Sequence, residues 1–344
     1  MRSVIPTRSS RAPSGWQTAA LLGIAGLAAS MLYVQAKKTS SEKANPPQGK
    51  FVDVDGVRLH YIERGHGQAL VLLHGNGLFA GDFELSGLLD QSARPYRVIA
   101  FDRPGFGYSE RPGGTTWTPE EQARLIYKAL HLIGVERPIV IGHSWGTLVT
   151  LALALDYPKY IRGITLVSGY YYPSPRIDAM LLATPALPGI GQLLRYTVAP
   201  LVGRLMWPGL VKKMFGPAPV PERFRELPVW MTLRPTQLQA SAAESGLMVA
   251  AAERLSERYR ELVMPVTVIA GSEDQIVDPG HNAQRFHNEV RHSELIIEPG
   301  VGHMAHYADP ALILDAVARI EASLTPGGNN LRHEASVHRS TTLH

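Results

Sequence analysis

From residue 69 to residue 300 the chain repeats one unit: a short run of consecutive apolar residues, a glycine or polar stop, then a longer stretch with helical spacing. The runs are ALVLLHG (69–75), YRVIAFD (96–102), PIVIGHS (138–144), ITLVSG (164–169), VTVIAG (266–271) and ELIIEPG (294–300). Continuous rather than alternating apolarity means strands covered on both faces, hence a mainly parallel sheet between layers of helix. Ahead of them, Phe51 to Val54 and Val57 to Ile62 alternate apolar and polar around Asp55-Gly56. Asp-Gly between two alternating runs predicts a hairpin. Thr118-Pro119-Glu120-Glu121 is a capping box with proline at the first helical position, opening a helix that runs to Gly134. Residues 145–157 and 309–323 supply two more helices.

The alternation stops between Tyr170 and about Leu262, where no buried strand is recognisable and proline is frequent. This interval predicts a helical cap inserted over the sheet (173–261), dividing a core into 51–172 and 262–324. Its apolar residues, among them Leu181, Leu182, Leu193, Leu194, Trp207 and Trp230, are divided between the cap's own small core and a pocket, and those facing the sheet imply a substrate with an apolar part. Residues 325–344 lack an apolar face and are expected to be disordered.

The N-terminus follows another rule. Residues 1–17 form a basic tail, and Thr18 to Val34 is an uncharged apolar run of 17 residues closed by Lys37 and Lys38. That length is at the short edge of a membrane span. An uncleaved anchor competes with a signal peptide cut near Val34-Gln35-Ala36, and the dibasic stop favours the anchor. With the anchor, the folded part is placed outside the cytoplasm, and residues 35–50, polar with Pro46-Pro47, become a linker.

Charge and cysteine content remove several function classes. The 344 residues carry a net +4, of which residues 1–50 account for +6, so the remainder is −2 and has no electrostatic footprint for nucleic acid. With no cysteine, thiolate metal sites, iron–sulfur clusters, disulfides and a cysteine nucleophile are excluded. His281, His287 and His292 fit no zinc spacing and are read as surface histidines.

The chemistry concentrates in Gly142-His143-Ser144-Trp145-Gly146, a G-x-S-x-G between a buried strand and an apolar helix. With His74-Gly75-Asn76-Gly77 after an earlier strand and Asp102 to Ser109 after the next, the chain resembles the α/β-hydrolase fold family over roughly residues 51–323. The resemblance implies Ser144 as nucleophile, His303 as general base and Asp274 as the acid. It also implies an oxyanion hole from the backbone amides of Asn76 and Trp145. His306 remains an alternative base, Glu273 and Asp278 remain alternative acids, and Asp102 is taken as structural. Haloalkane dehalogenases and epoxide hydrolases in this family carry an aspartate at the elbow, where this chain has Ser144. The elbow also looks like that of prolyl aminopeptidases, but their HGGPG is His74-Gly75-Asn76-Gly77-Leu78 here. The implied activity is a serine hydrolase acting through an acyl-enzyme on carboxylic esters or related small acyl substrates, with no metal or organic cofactor. Amidase or aminopeptidase, carbon–carbon hydrolase and haloperoxidase-like chemistry stay open, as does a non-catalytic, membrane-tethered binding module. Oligomeric state is not legible.

Overall fold

The computed structural model describes residues 15–174 and 183–324. Most of the basic tail, Leu181 and Leu182 of the cap and the 325–344 tail lie outside the described residues. Eight strands form one sheet: β1 (Lys50–Val54), β2 (Val57–Arg64), β3 (Ala69–Leu73), β4 (Arg97–Phe101), β5 (Ile139–His143), β6 (Gly163–Val167), β7 (Val266–Gly271) and β8 (Glu294–Glu298). Their spatial order is β1-β2-β4-β3-β5-β6-β7-β8. The pairs β1–β2 and β2–β4 are antiparallel and the rest parallel, with Leu73 level with both Phe101 and Gly142. The fold is the α/β arrangement expected from the continuous apolar runs, and the Asp55-Gly56 hairpin turns with φ near 50° and 77°.

The period of two along each strand sorts the core into two layers. Val71, Leu73, Ile99 and Val140 face one way, onto α2 (Pro119–Leu132) and α3 (Trp145–Asp156). Leu70, Leu72, Val98 and Ile141 face the other, onto Phe83, Leu88 and the helix Pro310–Leu324. The Thr118 hydroxyl caps α2 by accepting from the Glu121 amide at 3.3 Å.

The described part of residues 173–261 contains helices and no strand. Its main elements are α4 (Ile190–Tyr196), α5 (Ala199–Phe215) and α6 (Pro235–Ser256). A fully buried ion pair ties this cap to the core. Arg103, in the loop after β4, meets Glu244 of α6, with Nη2 to Oε2 at 3.1 Å, and both side chains are inaccessible to solvent. Gln122 donates to the same carboxylate at 3.0 Å.

One expectation is corrected. Residues 35–50 are not a linker throughout, because the first helix, α1, runs unbroken from Gly15 to Ala44. Composition alone made Lys37 to Ala44 look flexible, but tertiary contacts hold the segment. Glu42 pairs with Arg234 at 3.1 Å, and Lys37 stands over the rings of Tyr33 and Trp230. The helix stops just before Pro46-Pro47, where proline removes the amides a helix needs.

Removing one member of a buried ion pair strands the other, at a cost of about 3–5 kcal/mol. Glu244→Ala is therefore expected to lower the urea unfolding midpoint sharply, whereas the double variant Arg103→Met/Glu244→Leu loses much less. A pH effect is expected at the end of β8. Burial, reinforced by the nearby Asp309 carboxylate, pushes the Glu298 carboxyl from 4.5 up to about 7. The folded chain then binds that proton more tightly than the unfolded one, so this contribution to stability is complete below about pH 4.5 and is lost as pH rises through 7. Glu298→Gln should flatten the pH dependence of the melting temperature over that interval.

Candidate active site

The elbow is built by close approach. Ser144 leaves β5 with φ 52° and ψ −120°, a conformation L residues rarely hold, and its amide donates to Val167 O at 2.9 Å. α3 starts at once, and it crosses β3 so closely that a Cβ on Gly146 would lie 2.1 Å from Leu73 O. Only glycine permits that crossing.

Ser144 Oγ lies 2.9 Å from His303 Nε2. On the other side of the ring, His303 Nδ1 is 2.8 Å from Asp274 Oδ2. The second carboxylate oxygen of Asp274 accepts from the amides of Ile276 and Val277 at 2.8 and 2.9 Å. With a carboxylate facing Nδ1, that nitrogen carries the proton, and Nε2 presents its lone pair to the serine hydroxyl. The three residues come from the ends of β5, β7 and β8, neighbouring strands or the loops that leave them.

The alternatives are placed elsewhere. His306 Nε2 pairs with the buried Asp82 carboxylate at 2.8 Å, and Tyr307 donates to that carboxylate at 2.8 Å. The Asp278 carboxylate accepts from the His281 amide, and Glu273 is bonded locally by Ser272. Asp102 accepts from the amides of Ala80 and Tyr108 at 2.7 and 2.9 Å and faces His60 Nδ1 at 2.7 Å, which is loop scaffolding.

The two residues expected to supply oxyanion amides, Asn76 and Trp145, belong to segments that adjoin Ser144. Trp145 is the first residue of α3, in the turn whose N–H groups have no intrahelical acceptor. Asn76 follows Gly75, whose hypothetical Cβ would sit 3.1 Å from Ser144 Cβ. The Asn76 side chain is turned to the cap, donating to Ser241 O at 3.1 Å and Ser245 Oγ at 3.3 Å.

Sequence reasoning missed the residues that hold these parts. Arg103 donates to His74 O at 2.8 Å and Gly75 O at 3.1 Å, clamping the segment that leads into Asn76. The His303 amide donates to Met214 O of α5 at 2.8 Å, and Gly302 packs under the same turn, its hypothetical Cβ 2.5 Å from Gly216 O. His143 Nε2 donates to His303 O at 3.2 Å, and burial, with the neighbouring imidazoles of His306 and His303, holds its pKa well below the usual 6.5. The arginine stands in the Asp102 to Ser109 segment, but its partner lies 141 residues away.

Among the described residues, Asp82, His143 and His306 bring three donor atoms within 4.8 Å of one another in the buried layer beneath the elbow. His281, His287 and His292 each have a separate oxygen partner: Pro173 O, Ser293 Oγ and Met264 O.

A family model described as the alpha/beta hydrolase fold matches residues 68–310. Haloalkane dehalogenase 2 of Mycobacterium tuberculosis is 29% identical over 136 residues, 40% of this chain and 47% of that protein, so the chain spans about half the length of that relative. An uncharacterised protein of the same species is 28% identical over 291 residues, 82% of this chain and 83% of its own length. The solved structure of the epoxide hydrolase CorEH superposes with a TM-score of 0.66 at 21% identity, covering 80% of this chain and 99% of that one, a likeness of fold. With the family model spanning most of the chain and the sheet, elbow and strand-end loops in place, this protein belongs to the alpha/beta hydrolase fold family.

Proposed function

We propose that this chain is a serine hydrolase that cleaves carboxylic esters or related acyl substrates with an apolar moiety through an acyl-enzyme. The observation that carries this reading is the relay from Ser144 Oγ through the His303 ring to Asp274, with 2.9 and 2.8 Å steps. A serine hydroxyl is too weak an acid to attack unaided, so His303 accepts its proton as Oγ bonds to the acyl carbon. Asp274 holds the imidazole tautomer and stabilises the imidazolium that forms. The charge growing on the carbonyl oxygen is met by the amides of Asn76 and Trp145, each worth about 3–4 kcal/mol of barrier where such donors have been removed. His303 then protonates the leaving alcohol. Water, deprotonated by the same ring, releases the acid and restores the serine.

The residue at the elbow separates this chemistry from that of the relatives named above. A dehalogenase or epoxide hydrolase of this family attacks an alkyl carbon with a carboxylate and resolves the resulting ester, whereas Ser144 has no carboxylate to offer. An attacking hydroxyl favours acyl transfer. The N-terminal helix supports a second element of the proposal: residues 18–34 anchor the protein in a membrane as a single pass, with the catalytic part outside the cytoplasm. Among the described residues α1 is the one helix long and apolar enough to cross a bilayer, and its apolar window is 6% buried.

Ser144→Ala is expected to abolish hydrolysis of short p-nitrophenyl esters while leaving the unfolding transition in place, and an unchanged rate would remove the assignment. Asp274→Asn should lower kcat by a factor on the order of 10⁴ with a smaller change in KM. A fluorophosphonate probe should label the full-length protein at Ser144 and fail on both variants of the relay, His303→Ala and Ser144→Ala. A folded wild-type sample that stays unlabelled would instead point to a binding module without turnover.

A further inference from the structure

We propose that the cap is itself a membrane-docking surface: the apolar face of α4 and α5 is seated in the same lipid bilayer that α1 enters. The inference rests on the anchor role given above to residues 18–34, and it follows from how α1 is attached.

Gly15 to Ala29 are exposed throughout. At 1.5 Å per residue this exposed stretch is about 22 Å long, short of the roughly 30 Å hydrocarbon core of a bilayer. The apolar run can therefore cross only if Ser30 to Val34 also lie within the lipid. Those residues are already against the cap. Ser30 Oγ donates to Thr197 O, between α4 and α5, at 2.8 Å. Val34 is buried, and the Tyr33 ring meets Trp230 edge-on at 5.9 Å. Four residues of helix, about 6 Å, thus separate the first cap contact from the end of the apolar run. The cap surface beside Thr197 is carried to the depth at which interfacial apolar faces rest, about 5–10 Å.

That surface is composed for the task. Leu193, Val198, Leu201, Leu205, Met206 and Leu210 are all exposed, with Leu205 81% accessible. An apolar face of this extent on a soluble domain needs a partner. Residues 183–221 contain no aspartate or glutamate, while Arg204, Lys212 and Lys213 are exposed along α5. Basic side chains flanking a leucine face suit anionic lipid headgroups, to which their heads can extend while their stems lie along the apolar boundary. The attachment is stiff, since α1 continues to Ala44 and is fastened again by the Glu42–Arg234 pair. The cap's attitude to the membrane is consequently fixed by the helix.

The absence of native cysteine allows a direct test. Full-length Leu205→Cys, Ile24→Cys and Leu132→Cys are each labelled with an environment-sensitive fluorophore. They are then reconstituted into vesicles of phosphatidylcholine and phosphatidylglycerol containing a lipid spin-labelled near the top of its acyl chain. All three side chains are at least 64% exposed, so labelling leaves the packing intact, and fluorophosphonate reaction checks each sample for fold. At position 205 the expected result is a blue shift with at least twofold quenching by the spin-labelled lipid, and at 132, on α2, no change. A 205 label that emits as in water, or that is blue-shifted without lipid quenching because a second copy covers the face, overturns the proposal. The label at 24 distinguishes the two levels: quenched at 24 but not at 205, the anchor stands and cap docking alone falls; unquenched at both, the anchor falls with it.

Discussion

Ser144 keeps a backbone conformation that an isolated chain would abandon, and every other part of the site is arranged around that bend. The conformation persists because the chain is pinned on both sides. Before the turn, β5 is hydrogen-bonded between β3 and β6, and the Ser144 amide is held by Val167 O. After it, α3 is pressed so near β3 that Gly146 is the only residue that fits. The cost of the strain is of order 1–3 kcal/mol, small against the burial of β5 and α3, nearly all of whose side chains are inaccessible. In return the hydroxyl projects beyond the sheet, where strand-end loops can reach it.

The cap is more than a cover. Its inner surface supplies three interactions that locate parts of the site. Met214 O fixes the His303 backbone, Glu244 neutralises the arginine that grips His74 and Gly75, and Ser241 and Ser245 hold the Asn76 side chain. The imidazole loop and the amide-bearing loop are therefore referenced to α5 and α6 as well as to the sheet. A cap displaced by an ångström would carry both loops with it.

Local chemistry was legible in the sequence and distant pairing was not. Continuous apolar runs gave the strands because a doubly covered strand has no polar face to show. The turn at Asp55-Gly56 was readable because few dipeptides accept two positive φ values in succession. The elbow was readable because its glycines answer to close approach, and Asp274 and His303, which the fold brings to Ser144 from the ends of β7 and β8, followed from family resemblance. Arg103–Glu244 was invisible: an arginine in a loop and a glutamate on a helix look solvated until the fold removes water from both. The extent of α1 was misjudged for the same reason. Lys37 to Ala44 have no strong intrinsic signal, and it is Trp230 and Arg234, nearly two hundred residues away, that keep them helical.

That misjudgement changes the physical picture of the molecule. A flexible linker over residues 35–50 would leave the folded part free to tumble relative to the N-terminal apolar run. A helix continuous from the apolar run to the cap does the opposite, because its direction sets the direction of everything packed on it. α5 begins beside Thr197, near the level where α1 first meets the cap, and ends at Met214 and Phe215 under the His303 loop. One element of 17 residues, about 25 Å long, thus links the face beside α1 with the loop that carries His303. Whatever fixes α1 in space therefore fixes, through α5, the orientation of the loop that faces Ser144.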